Sequence, residues 1–287
     1  LTGYFNLPKI LELTLYNGYD HVSHKQLGLK LGSAEDFHSY EELLDAFKKQ
    51  IDYFLDIKVK GSNVIEKIYA EYMPVPFLSV ITNDCISKGM DYNAGGARYN
   101  TSYIQGVGIG TVTDCLSAIK YQVFDQKHFT LPELTDAMLH DFEGQPRMLK
   151  LVQEHSPKYG NDDDYADDIM KSVFEYYQKA VTGRPNMRGG MYRVNMLPTT
   201  CHVYFGEVML ASANGRRAHK PVSEGISPEK GADTNGPTAV VKSCAKMDHL
   251  KTGGTLLNQK FTPSVVAGEQ GLQQMANLVR AYFAMDG

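Results

Sequence analysis

No apolar run in the sequence is long enough to cross a bilayer, so no membrane span is expected, and no signal-peptide pattern occurs. Basic clusters are missing as well: 29 Lys and Arg stand against 33 Asp and Glu, a formal net charge of -4. That balance leaves no electrostatic footprint for nucleic acid. Cysteine is sparse. Cys85, Cys115, Cys201 and Cys244 are scattered, with no Cys-x-x-Cys pair and no histidine at a zinc spacing. A disulfide framework and a structural zinc are thereby excluded, and reduced, buried thiols in a cytoplasmic protein are expected.

Two motifs that could suggest a ligand are incomplete. Gly106, Gly108 and Gly110 run Gly-x-Gly-x-Gly, one residue short of the dinucleotide fingerprint, and helical patterns follow them where an acidic ribose ligand should come. Close packing of a strand on a helix explains these glycines better. The acidic run at residues 161–164, with Asp167 and Asp168, has neither the glycine nor the terminal glutamate of an EF-hand. It reads as the acidic start of a helix, favoured by the helix dipole. His21 and His24 have no third ligand nearby and read as surface polar residues, so no metal is expected.

What is present is a helix-rich globular pattern, 43% hydrophobic and long enough to bury a sizeable core. Leu7, Ile10, Leu11 and Leu13 predict a short helix over residues 7–16, with Pro8 in its first turn. Apolar residues at a 3.6-residue rhythm predict a long amphipathic helix over 39–72, capped by Ser39 and ended by the Pro74 and Pro76 segment. Residues 77–86 are apolar enough for a buried strand or a helix. The paired Gly95 and Gly96 suit a turn or a close approach of two backbones, with Tyr99 and Asn100 as hydrogen-bond donors there. Thr130, Pro132 and Glu133 form a capping box. Helices are expected over 146–154, 165–181, 238–247 and 270–285, and an extended run over 255–261. This order gives α/β or α+β.

The most informative stretch runs from Tyr192 to Gly206. An extended run ends at Pro198, and Thr199, Thr200 and Cys201 follow where the backbone must turn. Polar groups at such a corner face a pocket or cap a helix. The connection over 227–238, rich in Gly, Pro, Asn and Asp, is long enough that ordering it costs entropy a functional role would offset.

Asn214-Gly215-Arg216, Ser227-Pro228, Gly231-x-Asp233 and Asn235-Gly236-Pro237-Thr238 resemble the C-terminal half of the glycyl radical enzymes, the group that includes pyruvate formate-lyase and glycerol dehydratase. Leu1-Thr2-Gly3-Tyr4-Phe5-Asn6, Tyr92-Asn93-Ala94-Gly95-Gly96-Ala97-Arg98-Tyr99-Asn100 and Gly253-Gly254-Thr255-Leu256-Leu257-Asn258-Gln259 resemble most closely the branch that dehydrates trans-4-hydroxy-L-proline. The resemblance covers essentially the whole chain. It implies α/β architecture, part of the ten-stranded barrel of that family, within a single partial domain over 1–287.

The family's thiyl cysteine, in a Gly-Cys-x-Glu motif, and its radical glycine, in an Arg-Val-x-Gly-Tyr motif, do not occur in this sequence. An internal fragment is therefore expected, inactive alone, with no catalytic residue and no bound cofactor of its own. For the full-length protein the resemblance implies a C–O lyase whose glycyl radical is installed by a radical S-adenosylmethionine activating enzyme, with a small-molecule substrate and a homodimeric assembly; the alternatives are another glycyl radical reaction, such as glycerol or propanediol dehydration, choline cleavage, formate acetyl transfer or arylacetate decarboxylation, or a catalytically silent barrel fragment. It also implies two substrate contacts, Tyr4 and Thr199. From the residues alone, Tyr4 reads as a core tyrosine and Thr199 as a helix cap. Cys201, beside the proposed pocket, is expected to be structural.

Overall fold

The computed structural model describes residues 2–287, so Leu1 of the first family-like stretch lies outside them. Four strands, β1 (Thr2–Asn6), β4 (Ser102–Val107), β5 (Tyr192–Met196) and β6 (Thr252–Thr255), form a parallel sheet in the order β1-β4-β5-β6. Between β1 and β4 lies a two-residue antiparallel hairpin, β2 (Tyr19–Asp20) with β3 (Lys25–Gln26). Parallel neighbours need long crossovers, and the helices supply them. These are α1 (Leu7–Leu15), α2 (Tyr40–Tyr72), α3 (Pro76–Ile81), α4 (Cys85–Lys88), α5 (Ile109–Ala118), α6 (Leu131–Leu139), α7 (Pro146–Glu154), α8 (Asp164–Val181), α9 (Cys201–Glu207), α10 (Pro237–Ala245) and α11 (Gly268–Ala284). A π-helical stretch, Ile119–Asp125, extends α5. None of the helices among the described residues is long and apolar enough to cross a membrane.

Strand alternation divides the sheet into two unlike faces. Phe5, Ile104, Tyr192, Val194 and Met196 point into the main core, where they meet Leu7 and Leu11 of α1, Val112 and Leu116 of α5 and Phe174 and Tyr177 of α8. Phe5 stacks on Tyr177 with ring centroids 5.5 Å apart. The long helix joins the same core through Leu43, Phe47, Ile51 and Leu55, all within 1% of complete burial. Fully burying each such side chain is worth about 1.5–3 kcal/mol. Ser39 caps this helix by accepting from Glu42 N at 3.2 Å, and the helix runs unbroken through Gly61.

The short helix, the capping box and the helix after the acidic run form where they are predicted. Thr130 and Glu133 close the box reciprocally. Asp163 caps α8 by accepting from Tyr165 N, and Lys246, at the C-cap of α10, reaches Asp164 and Asp167 at 2.7 and 2.6 Å. The acidic run therefore has a tertiary cation as well as the dipole. The close-packing role of the glycines also holds: a β-carbon at Gly106 would lie 2.7 Å from Met196 Sδ and one at Gly110 2.6 Å from Ser227 O.

Residues 77–86, left open between a buried strand and a helix, form two short helices with Phe77, Val80, Ile81 and Ile86 exposed, because Pro76 opens a helix and no strand is adjacent. Three local expectations fail. Asn100 does donate to Gly95 O and Ala97 O, at 2.9 and 3.0 Å, but Tyr99 points outward, 84% exposed. The last strand occupies Thr252–Thr255 rather than 255–261, since the glycines at 253 and 254 fit against β5 whereas the residues after them leave the sheet. The extended run ends at Met196 rather than Pro198, because Leu197 N is taken by a side chain instead of a neighbouring strand.

Candidate active site

The second face of the sheet is polar and carries Tyr4. Register aligns Tyr4 of β1 with Gln105 of β4, and Gln105 with Asn195 of β5, so the three form a row across the sheet; Tyr103 and Arg193 stand one pair earlier. Gln105 is buried, while Tyr4, Tyr103, Arg193 and Asn195 are half-buried. Tyr4 is thus not a core tyrosine. Its ring packs with Phe205 against a small apolar cluster of Val107, Met209 and Val222, which stiffens it from one side.

Thr199 lies beyond the C-terminal end of β5, the edge at which open α/β sheets present ligand sites. It is exposed and has φ +53°, a left-handed conformation that a β-branched residue rarely adopts. The cap expectation fails here: Thr200 occupies the N-cap of α9 and its side chain makes no capping bond. The neighbouring contacts hold the strained corner. His202 Nδ1 donates to Thr199 O at 3.0 Å, and Leu197 N donates to Gln105 Oε1 at 2.8 Å. Strain of this kind persists where the surroundings over-determine it, and it gathers at functional sites. Cys201, the first residue of α9, is a free and partly buried thiol; Cys85, Cys115 and Cys244 are free and buried. Burial pushes the thiols of Cys115 and Cys244 up to about 12, which suits inert structural residues.

The corner is fixed to the rest of the molecule from below. Asn6 Nδ2, at the end of β1, donates to Phe205 O at 3.3 Å. Lys9 of α1 donates to Val208 O at 2.8 Å and pairs with Glu12 and Asp20, while Glu12 Oε2 accepts from Leu210 N. The 227–238 connection is tied to the start of α5 by Thr111 Oγ1, which donates to the Glu229 carboxylate, and Thr111 N donates to Ser223 Oγ, ahead of the connection, at 3.0 Å. A cavity of about 900 Å³ opens beside this connection, lined by Arg216, Arg217, Lys220 and Lys230 among others. Neither Tyr4 nor Thr199 lines it. The buried cation there is committed to the backbone, since the Arg216 guanidinium donates to Leu210 O, Arg217 O and Lys220 O. The polar sheet face is therefore the stronger candidate site.

Sequence reasoning missed Gln105, Asn195, Tyr103 and Arg193. The signal was present in β5, where Tyr192, Val194 and Met196 alternate with Arg193 and Asn195, but only the register across the sheet places those polar residues beside Tyr4. Gln105 acts on the corner through Leu197. Gln105→Leu is expected to free that N–H, loosen Thr199 and raise KM several-fold in the full-length enzyme, with Gln105→Glu restoring most of it; steady-state kinetics with a KM-against-kcat split checks this.

The pyruvate formate lyase-like family model matches residues 1–206, and the glycine radical model matches residues 222–287. The chain is 67% identical over all 287 residues to a trans-4-hydroxy-L-proline dehydratase of Clostridioides difficile, and it spans 36% of that protein's length. Among solved structures, it matches a hydroxyproline dehydratase from Clostridioides difficile with substrate trans-4-hydroxy-L-proline bound, at a TM-score of 0.97 and 66% identity, covering 99% of this chain and 36% of that one. The glycerol-bound B12-independent glycerol dehydratase from Clostridium butyricum follows at 0.94 and 38%, with coverage of 99% and 36%. The helix-rich α/β fold and its parallel sheet are thus those of glycyl radical enzyme barrels, and the chain belongs to the pyruvate formate lyase-like family.

Proposed function

We propose that the chain is part of a glycyl radical C–O lyase that dehydrates trans-4-hydroxy-L-proline to pyrroline-5-carboxylate. The observation that carries this is the 67% identity maintained over all 287 residues, against 38% for the glycerol dehydratase structure at almost the same TM-score. The backbone is shared across the family, so the difference lies in side chains, where substrate choice resides.

A glycyl radical, once installed, would supply, by way of the family's thiyl cysteine, hydrogen-atom abstraction at the ring carbon beside the nitrogen, and the neighbouring C4 hydroxyl would leave as water once protonated. The residues described here orient the ring. Tyr4 offers a phenol that both donates and accepts, on a ring braced by Val107, Met209 and Val222. Thr199 offers a hydroxyl from a corner whose strain pre-sets its direction. The apolar cluster behind Tyr4 keeps water from that side of the site. An S-adenosylmethionine-dependent activating enzyme, a homodimeric assembly and a cytoplasmic setting belong to the same proposal and rest on family membership.

Tyr4→Phe and Thr199→Ala in the full-length enzyme test this reading. A lost hydrogen bond costs about 0.5–1.5 kcal/mol and a stranded buried partner about 1–3, so each variant is expected to lose roughly ten- to hundredfold in kcat/KM. Electron paramagnetic resonance should show a normal radical yield in both. Wild-type efficiency in both variants would remove the two residues from the site.

A further inference from the structure

We propose that Phe205 is a positioning residue of this site, fixing Tyr4 and Thr199 relative to each other so that both meet one substrate molecule. The proposal rests on the reading of those two residues as substrate contacts. Their own strands do not fix the gap between them. Tyr4 belongs to β1, Thr199 follows the end of β5 by three residues, and β4 lies between the two strands. Thr199 also sits at φ +53°, where a β-branched residue stays only if its surroundings hold it. A tertiary tie is therefore needed, and it must reach both residues.

Phe205 supplies that tie. It is the fifth residue of α9, whose first residue, Cys201, comes two after Thr199. Toward β1, its ring packs on the cluster of Val107, Met209 and Val222 that also carries the Tyr4 ring, and its carbonyl accepts from Asn6 Nδ2 at 3.3 Å. Asn6 stands two residues after Tyr4 and caps α1 as well, its Oδ1 accepting from Lys9 N at 3.2 Å. Toward the corner, His202 of the same helix donates from Nδ1 to Thr199 O at 3.0 Å. The helix itself is seated from behind, since His202 O accepts from Val222 N at 3.1 Å and Gly206 lies so close to the Lys220 carbonyl that a β-carbon would not fit. A short helix held in this way moves as one body. Its Phe205 ring thus sets where the strained corner stands against the phenol of Tyr4. Removing the ring leaves the backbone bonds in place but frees the Tyr4 ring on that side and lets α9 tilt, and a misplacement of about 1 Å costs up to about a hundredfold in rate.

The test uses the full-length enzyme, activated anaerobically, with Phe205→Ala, Phe205→Leu, Tyr4→Phe and the double variant of Tyr4→Phe with Phe205→Ala. Phe54→Ala is the control, since Phe54 is a half-buried phenylalanine of α2 packed on the main core at the other face of the sheet. Phe205→Ala should raise KM for trans-4-hydroxy-L-proline about five- to thirtyfold, with kcat changed less than about threefold and a normal glycyl radical signal. Phe205→Leu, which keeps most of the apolar volume, should recover most of the loss. Tyr4→Phe should cost at least about threefold less in the Phe205→Ala background than alone, because a phenol no longer aimed at the substrate has less to lose. Phe54→Ala should lower the thermal midpoint and leave KM unchanged. Wild-type KM in Phe205→Ala overturns the proposal, as do losses in kcat/KM that simply multiply in the double variant. An equal rise of KM in Phe54→Ala overturns it too, by showing a general loosening. If Phe205→Ala does not fold, the same cycle with Phe205→Leu decides: a KM raised about two- to fivefold together with a non-multiplicative loss supports the proposal, and the absence of either overturns it. Wild-type efficiency in both Tyr4→Phe and Thr199→Ala defeats the reading of the site and the proposal with it, whereas the expected losses there with none at Phe205 defeat the proposal alone.

Discussion

Replacing Arg188 with methionine should destabilise the protein by about 3–5 kcal/mol, because it leaves Glu66 as an uncompensated buried charge. Glu66 lies on the C-terminal half of α2, where its neighbours Val64, Ile65 and Ile68 are exposed, yet its own side chain is fully buried. It accepts from Ser102 Oγ at the start of β4 and from Met187 N at 3.1 Å. Arg188 Nε stands 3.8 Å from the carboxylate, and its Nη2 donates to Thr101 O at 2.9 Å. Asn186 completes the cluster, with Nδ2 donating to Ser102 Oγ at 2.8 Å. One group of side chains thus ties the long helix to the entries of two adjacent strands that carry the polar row. The double variant Glu66→Gln with Arg188→Met should recover much of the loss, since no charge is then stranded. Thermal unfolding of the single and double variants, read as a double-mutant cycle, measures this. A single variant as stable as wild type would show that Arg188 is not what compensates Glu66.

The second large effect is a pH dependence set by Asp114 in α5. Complete burial pushes its carboxyl from 3.8 up to about 7, with Glu229 and Asp167 adding to the rise and Lys158 and the Tyr159 N–H opposing it. One oxygen accepts from Tyr159 N at 2.9 Å; the other has no partner among the described residues. The folded protein therefore holds a proton that the unfolded chain has released at any pH between about 4 and about 7. Stability from this group is fully present below that window and falls as pH rises through it, by about 4 kcal/mol at most. Burial also raises Glu229 and Asp167, so they contribute with the same sign. Asp114→Asn should stabilise the protein at pH 8 and flatten the profile of thermal midpoint against pH between 5 and 8. An identical profile in the variant would place the dependence on the other acids that burial raises, Glu229, Asp167 and Glu12.

Local chemistry made much of the chain legible in advance. The Ser39 cap, the Thr130 and Glu133 box and the acidic opening of α8 depend on groups within four residues of one another, so the sequence states them directly. The family likeness was legible for a similar reason, since its motifs are short and continuous. The same sequence left residues 77–86 ambiguous, because a short apolar run takes its conformation from its neighbours and these helices have few. It placed the strand after the 227–238 connection three residues late, because the fit of Gly253 and Gly254 against Tyr103 and Asn195 is a property of a sheet and not of a segment.

The site divides along the same line. Tyr4 and Thr199 could be named from motifs, but their surroundings could not. That Tyr4, Gln105 and Asn195 form one row depends on a register joining residues about a hundred and about ninety positions apart. Thr199 is strained in a turn entered at Leu197, whose N–H is held by a side chain from another strand. Sequence alone determined most of the longer helices, the Ser39 cap, the Thr130 and Glu133 box and the family, since those arise from contacts between near neighbours along the chain. Only the tertiary structure decided which polar residues face one another, since strand pairing is set by long-range packing that no local pattern encodes.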